Sequence, residues 1–169
     1  MKKLLTILFC GLLFIGSSQA QEHKWAFGFY GDVQMESPTY DGSFGVQGKY
    51  DLTNFQALQA QVYGRGGYIA VGADYLVNVF NKEKSNFNIF LGPGISQDFY
   101  TYDFTIDGDV EGPIRRKENY TNAIGQVGVS YYFPSVDLSI YTGYKLKYQF
   151  ASEAIDPNYV MIGVRYHIW

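Results

Sequence analysis

Apolar and polar residues alternate with a period of two in segment after segment of this chain, and from Lys24 onward no stretch carries a convincing helical period. Alternation builds strands with one apolar and one polar face, because successive side chains leave a strand on opposite sides. Eight such segments can be read. The first sets Trp25, Phe27 and Phe29 against Ala26, Gly28, Tyr30 and Asp32. The second, about Tyr40 to Tyr50, sets Phe44, Val46 and Tyr50 against Ser43, Gln47 and Lys49. The third opposes Leu58, Ala60 and Val62 to Gln59, Gln61 and Tyr63, and the fourth opposes Ile69, Val71, Ala73, Tyr75 and Val77 to Ala70, Gly72, Asp74 and Leu76.

The fifth segment sets Phe87, Ile89, Leu91 and Ile95 against Asn88, Phe90, Gly92, Gly94 and Ser96. Pro93 interrupts it and predicts a bulge or a rim position, since proline donates nothing to a ladder. The sixth sets Val127, Val129 and Tyr131 against Gln126, Gly128, Ser130 and Tyr132. The seventh sets Leu138, Ile140, Thr142, Tyr144, Leu146 and Tyr148 against Ser139, Tyr141, Gly143, Lys145, Lys147 and Gln149. The eighth sets Val160, Ile162, Val164, Tyr166 and Ile168 against Tyr159, Met161, Gly163, Arg165 and His167. Turn chemistry separates them at Asp51 to Asn54, Gly64 to Gly67, Asn81 to Asn86 and Phe133 to Val136.

Segments of roughly 9 to 13 residues match the length of a tilted strand that crosses a bilayer. Their even number suits a closed barrel with both termini on the periplasmic side. Closure is required in lipid, where an open edge leaves backbone groups without partners. The chain is therefore predicted to be all-β: an eight-stranded antiparallel transmembrane β-barrel with an up-and-down meander.

Composition decides which parity faces out. In a water-soluble ligand barrel the apolar parity points inward and charged residues coat the outside. Here charged residues make up only 17% of the chain, and the polar parity is mostly Gly, Gln, Ser and Ala, a poor solvent coat but a good filling for a narrow lumen. The apolar parity is thus assigned to lipid. Aromatic residues at the segment ends predict two interfacial girdles. Trp25, Tyr50, Phe55, Phe80, Phe87, Phe133 and Trp169 form one, and Tyr40, Tyr63, Tyr68, Tyr120, Tyr148 and Phe150 the other.

The first twenty residues have the layout of a secretory signal: Lys2 and Lys3, an apolar run from Leu4 to Ile15, and a small-x-small site at Ser18-Gln19-Ala20. Residues 1–20 are read as a cleaved signal peptide and 21–169 as one outer-membrane barrel domain. Cys10, the only cysteine, lies within the signal, so no disulfide or thiol chemistry is expected. Without Lys2 and Lys3, 11 of the 13 basic residues remain against 16 acidic ones. This balance gives no electrostatic footprint for nucleic acid.

On these segments and their spacing, from about Lys24 to Trp169, the chain resembles the outer-membrane β-barrel domain family of eight-stranded proteins, the OmpA-like and OmpX-like small barrels of the porin family. Its last strand, Gly163 to Trp169, is similar to the closing strand of such barrels, with alternate apolar residues and an aromatic end. The resemblance implies a Gram-negative outer membrane and recognition of that strand by the barrel-assembly machinery. It implies no catalytic residue and no cofactor, because the family is defined by architecture.

Three sets of residues are candidates for function. Asp32, Lys49, Asp74, Lys145, Lys147 and Arg165 share the inward parity and predict either a charge network filling the lumen or a narrow, weakly anion-selective pore. Asp107, Asp109, Glu111 and Glu118 stand at positions 1, 3, 5 and 12 of a loop with Gly112 at position 6, as in calcium loops. Glutamate suits position 5 poorly, no helices flank the loop, and Arg115, Arg116 and Lys117 oppose a cation, so a solvated hairpin loop is the favoured reading. The long connection from Gln97 to Asn119 carries Phe99, Tyr100, Tyr102 and Phe104, as if two strands continued beyond the membrane to a hairpin tip near Gly108. It is the expected contact surface, by strand addition or as part of the aromatic girdle. His23 and His167 both fall at the terminus end, so no histidine-dependent active site is expected at the outer rim, and the chain is not expected to be an enzyme.

Overall fold

A computed structural model of the chain describes residues 24–35, 40–104 and 114–168. The expected signal segment, the tip of the long hairpin and Trp169 lie outside the described residues. Eight strands follow one another: β1 (Trp25–Met35), β2 (Tyr40–Asp51), β3 (Gln56–Arg65), β4 (Tyr68–Asn78), β5 (Phe87–Phe104), β6 (Ile114–Phe133), β7 (Leu138–Gln149) and β8 (Ala154–Ile168). Each pairs antiparallel with its sequence neighbour, and β1 pairs with β8 from Trp25↔Ile168 to Gln34↔Tyr159, closing the barrel. There is no helix among the described residues.

Turns 52–55, 79–86 and 134–137 lie at the end that holds both strand termini, called here the terminus end. At the far end, β3 and β4 are joined by Gly66 and Gly67 alone. Gly67 has a φ of 75°, and a Cβ on it would stand 2.7 Å from the Thr101 carbonyl oxygen.

The wall sorts its residues by parity. Phe29, Val46, Ile95 and Ile162 are more than half exposed on the outside. The inward parity holds Tyr30, Tyr63, Tyr68, Leu76, Phe90, Tyr141 and Met161, all buried in the lumen. Glycines in the wall make space for these side chains. A Cβ on Gly163 would stand 2.3 Å from the Tyr141 ring, and one on Gly128 would stand 2.5 Å from Phe90. An aromatic filling of so narrow a barrel therefore depends on missing side chains opposite it.

Three expectations need correction. Pro93 makes neither a bulge nor a rim. It lies within β5 facing outward, and the β4–β5 register is the same on both sides of it, from Asp74↔Gly94 to Val77↔Leu91. Only the pairings of Tyr75 and Leu76 opposite it drop out. The register shift falls instead between Lys145↔Tyr159 and Lys147↔Asp156, where Pro157 interrupts β8.

Asp51, expected in a turn, is the buried last residue of β2. Tyr63 and Tyr68 are 2% and 6% exposed, so they belong to the lumen and not to a girdle, and the Tyr120 ring edge meets Tyr100 on the inward parity. The expected continuation of two strands through Gln97 to Asn119 is present, with β5 and β6 in unbroken register from Phe87↔Tyr131 to Phe104↔Ile114.

Candidate functional site

All six inward charges expected from the sequence are buried inside the barrel, none more than 7% exposed. They fall into three groups stacked along the axis. Nearest the far end, Lys147 Nζ lies 2.9 Å from Asp98 Oδ2 and 2.9 Å from Tyr68 Oη. Tyr68 also donates to Asp98 at 3.0 Å, and Ser96 donates to its other oxygen at 2.9 Å.

At mid-barrel Lys145 Nζ pairs with Asp32 and donates to Tyr30, whose own hydroxyl donates to Asp32 at 2.8 Å. The Tyr30, Tyr63 and Tyr159 rings stand 5.1, 4.6 and 5.3 Å from the same ammonium. Lys145 is thus enclosed by one carboxylate and three aromatic faces, which together replace the water it has lost.

Towards the terminus end the third group has a different character. Arg165 lies over the Tyr141 ring at 3.8 Å, donates through Nε to Gln47 Oε1 at 3.1 Å, and donates through Nη2 to Gln59 Oε1. Gln59 is in turn 3.4 Å from Asp74. Arg165 and Asp74 are linked through a glutamine and are not in direct contact. Lys49 pairs with Asp51 at 2.8 Å, and Lys82, from the turn after β4, pairs with the same carboxylate oxygen. Burial, with Lys49 beside it, pushes the Lys82 ammonium well below the usual lysine range, against the pull of Asp51. His167 Nε2 lies 2.9 Å from Ser139 Oγ.

Lys49, Asp51, Lys82, Ser139, Arg165 and His167 border a cavity of about 480 Å³ that opens at the terminus end, floored by Leu76 and Phe90. Beyond it the Lys145 and Lys147 clusters fill the bore. Asp51 and Asp98 are the network members that sequence reasoning missed. Asp98 stands two residues past Ser96 on the same parity, so extending the alternation would have found it. Asp51 was hidden by its turn-like neighbours.

At the far end the β5–β6 pair outlasts the wall. β4 ends at Tyr68 opposite Tyr100, and β7 ends at Gln149 opposite Asn122. Past these pairs the two strands form a ribbon whose last four rungs run from Thr101↔Lys117 to Phe104↔Ile114, about 13 Å at the usual rise per residue.

Phe99 faces outward. Tyr100 packs on Tyr68 at 4.8 Å and is part of the wall, not of a loop. Tyr102 stacks on Tyr100, with the rings 5.9 Å apart and 4° from parallel. The Phe104 side chain lies outside the description, as do Asp107, Asp109 and Glu111. Glu118, the remaining residue of the candidate calcium loop, is a β6 residue that pairs with Arg116 at 2.7 Å and accepts from Tyr120 at 2.5 Å. No group of metal-ligating side chains occurs among the described residues.

No family model matches the chain, and no curated protein matches it. Solved structures do. The N-terminal β-barrel domain of Pseudomonas aeruginosa OprF superposes with a TM-score of 0.68 at 14% identity, over 89% of this chain and all of that one. Neisserial surface protein A gives a TM-score of 0.53 at 15% identity, over 89% of this chain and all of that one. The attachment invasion locus protein Ail of Yersinia pestis, solved with the heparin analogue sucrose octasulfate, gives 0.52 at 12% identity, over 85% of this chain and 96% of that one. Closed meander, strand count and these superpositions agree: the chain has the fold of the small eight-stranded outer-membrane β-barrels.

Proposed function

We propose that this protein is an integral outer-membrane barrel with a structural or interaction role, whose contact surface is the β5–β6 ribbon. The observation that carries the reading is the pairing of an apolar outer wall with a ribbon that extends past it. The exposed Phe29, Val46, Ile95 and Ile162 form a surface that costs free energy in water and none in lipid. The ribbon presents two sheet edges above that wall, the arrangement strand addition uses. In this reading both termini are periplasmic, β8 is the strand the assembly machinery recognises, and catalysis plays no part.

Two experiments test it. Deleting residues 102–116 removes the upper ribbon and leaves the wall pairings intact, so the variant should fold and lose surface binding. Unchanged binding by the folded deletant would reject the contact role. For orientation, an impermeant thiol reagent on intact cells should label Ser152→Cys, in the far-end turn, and spare Ser135→Cys at the terminus end. The reverse pattern would reject it.

The lumen bears on conduction. Two ion pairs and the Tyr30, Tyr63, Tyr68 and Tyr159 side chains occupy the bore, which supports a charge network over a narrow anion-selective pore. Planar-bilayer recordings should show no discrete conductance; reproducible single-channel steps would restore the pore.

A further inference from the structure

The cavity at the terminus end gathers basic side chains whose carboxylate partners are shared between two cations or reached only through a glutamine. Three basic side chains border it, Lys49, Lys82 and Arg165. Lys49 and Lys82 share one oxygen of Asp51. Arg165 is 3% exposed, yet its hydrogen bonds go to the neutral oxygens of Gln47 and Gln59, and it forms no ion pair with a carboxylate among the described residues. Glu83, the other acid at the cavity, is exposed to solvent. Buried cations whose anions are shared or held at a distance are incompletely compensated, and an anion that enters the same space relieves the cost.

We propose that this vestibule is a binding site for small organic monocarboxylates that carry a short apolar or aromatic group. The carboxylate takes its place among Lys49, Lys82 and Arg165, and the apolar part rests on Leu76 and Phe90. A volume of about 480 Å³ falls within the usual range of small-molecule sites, and a mostly apolar floor with a few convergent charges is how such sites fix orientation. The site is closed inward by the Lys145 cluster, so it holds a ligand and does not pass it. It goes beyond the contact role proposed for the ribbon, which lies at the other end of the barrel.

The test uses the folded barrel in detergent micelles, titrated by NMR with benzoate, with benzamide as its uncharged counterpart, and with inorganic phosphate. Benzoate should bind saturably, shifting the amides of Asn78, Ser139 and His167 and leaving those of Asp98 and Tyr120 in place. Benzamide should bind about tenfold more weakly, the loss expected for one charge-assisted contact. Phosphate should also bind more weakly than benzoate, because it gains nothing from the apolar floor.

Lys82 stands on a turn, so Lys82→Gln keeps the wall intact and should weaken benzoate by about tenfold. Lys84→Gln, on the same turn but away from the cavity, should leave it unchanged. Equal affinity for benzoate and benzamide, phosphate as tight as benzoate, no saturable shifts, or insensitivity to Lys82→Gln would each overturn the proposal. None of these outcomes depends on what the ribbon binds.

Discussion

Lys145 shows how a charge can live inside a barrel wall. It has no exposed surface, and Asp32, Tyr30, Tyr63 and Tyr159 supply what water no longer does. Removing one partner of such a pair leaves the other uncompensated, so Lys145→Met should lower unfolding stability by about 3–5 kcal/mol. The double variant Asp32→Asn with Lys145→Met should recover most of that loss, since both charges go together. Equilibrium urea unfolding of the folded barrel measures both.

Gly163 makes a second case. A valine there would drive a Cβ into the Tyr141 ring at 2.3 Å and should cost about 1–3 kcal/mol by overpacking. The parity of Asp32, Lys49, Asp74, Lys145, Lys147 and Arg165 was legible in the sequence because alternation assigns a face. Their partners were not, since Lys145 meets Asp32 across 113 residues and Arg165 meets Gln47 across 118. Only the closed barrel brings those strands together.

At the scale of the strand, alternation survives one proline and breaks at another. Pro93 interrupts two pairings without shifting the register. Replacing it with valine restores a backbone donor at an outward-facing position and should stabilise the barrel by about 0.5–1.5 kcal/mol. A lower urea midpoint for Pro93→Val would show that the missing pairings have another cause.

The shift beside Pro157 instead sets Asp156 at the far mouth, where Gln34 donates to it at 2.7 Å. Strands β2, β3, β4 and β7 were readable to within a residue or two, because their turns carry glycine or polar clusters. The continuation of β5 and β6 showed in the alternation of Phe99 to Phe104, while a polar and aromatic stretch obscured where the membrane-length part of each strand gives way to it. Strand pairing continues there because each strand supplies the other's backbone partners, whatever their side chains.

The molecule as a whole joins an apolar exterior, a filled bore, a basic vestibule at one end and a projecting ribbon at the other. The exterior is the claim on which the rest depends, since a barrel in water would reverse the meaning of both parities. Expressed from Gln21, the chain has no cysteine, so single cysteines can be placed along β3 from Ala57 to Tyr63, spin-labelled and reconstituted in lipid vesicles. Relaxation by oxygen dissolved in the bilayer should rise at Leu58, Ala60 and Val62 and fall at Ala57, Gln59, Gln61 and Tyr63, with a period of two. Uniform accessibility along the strand, or the opposite phase, would contradict a lipid-facing apolar wall.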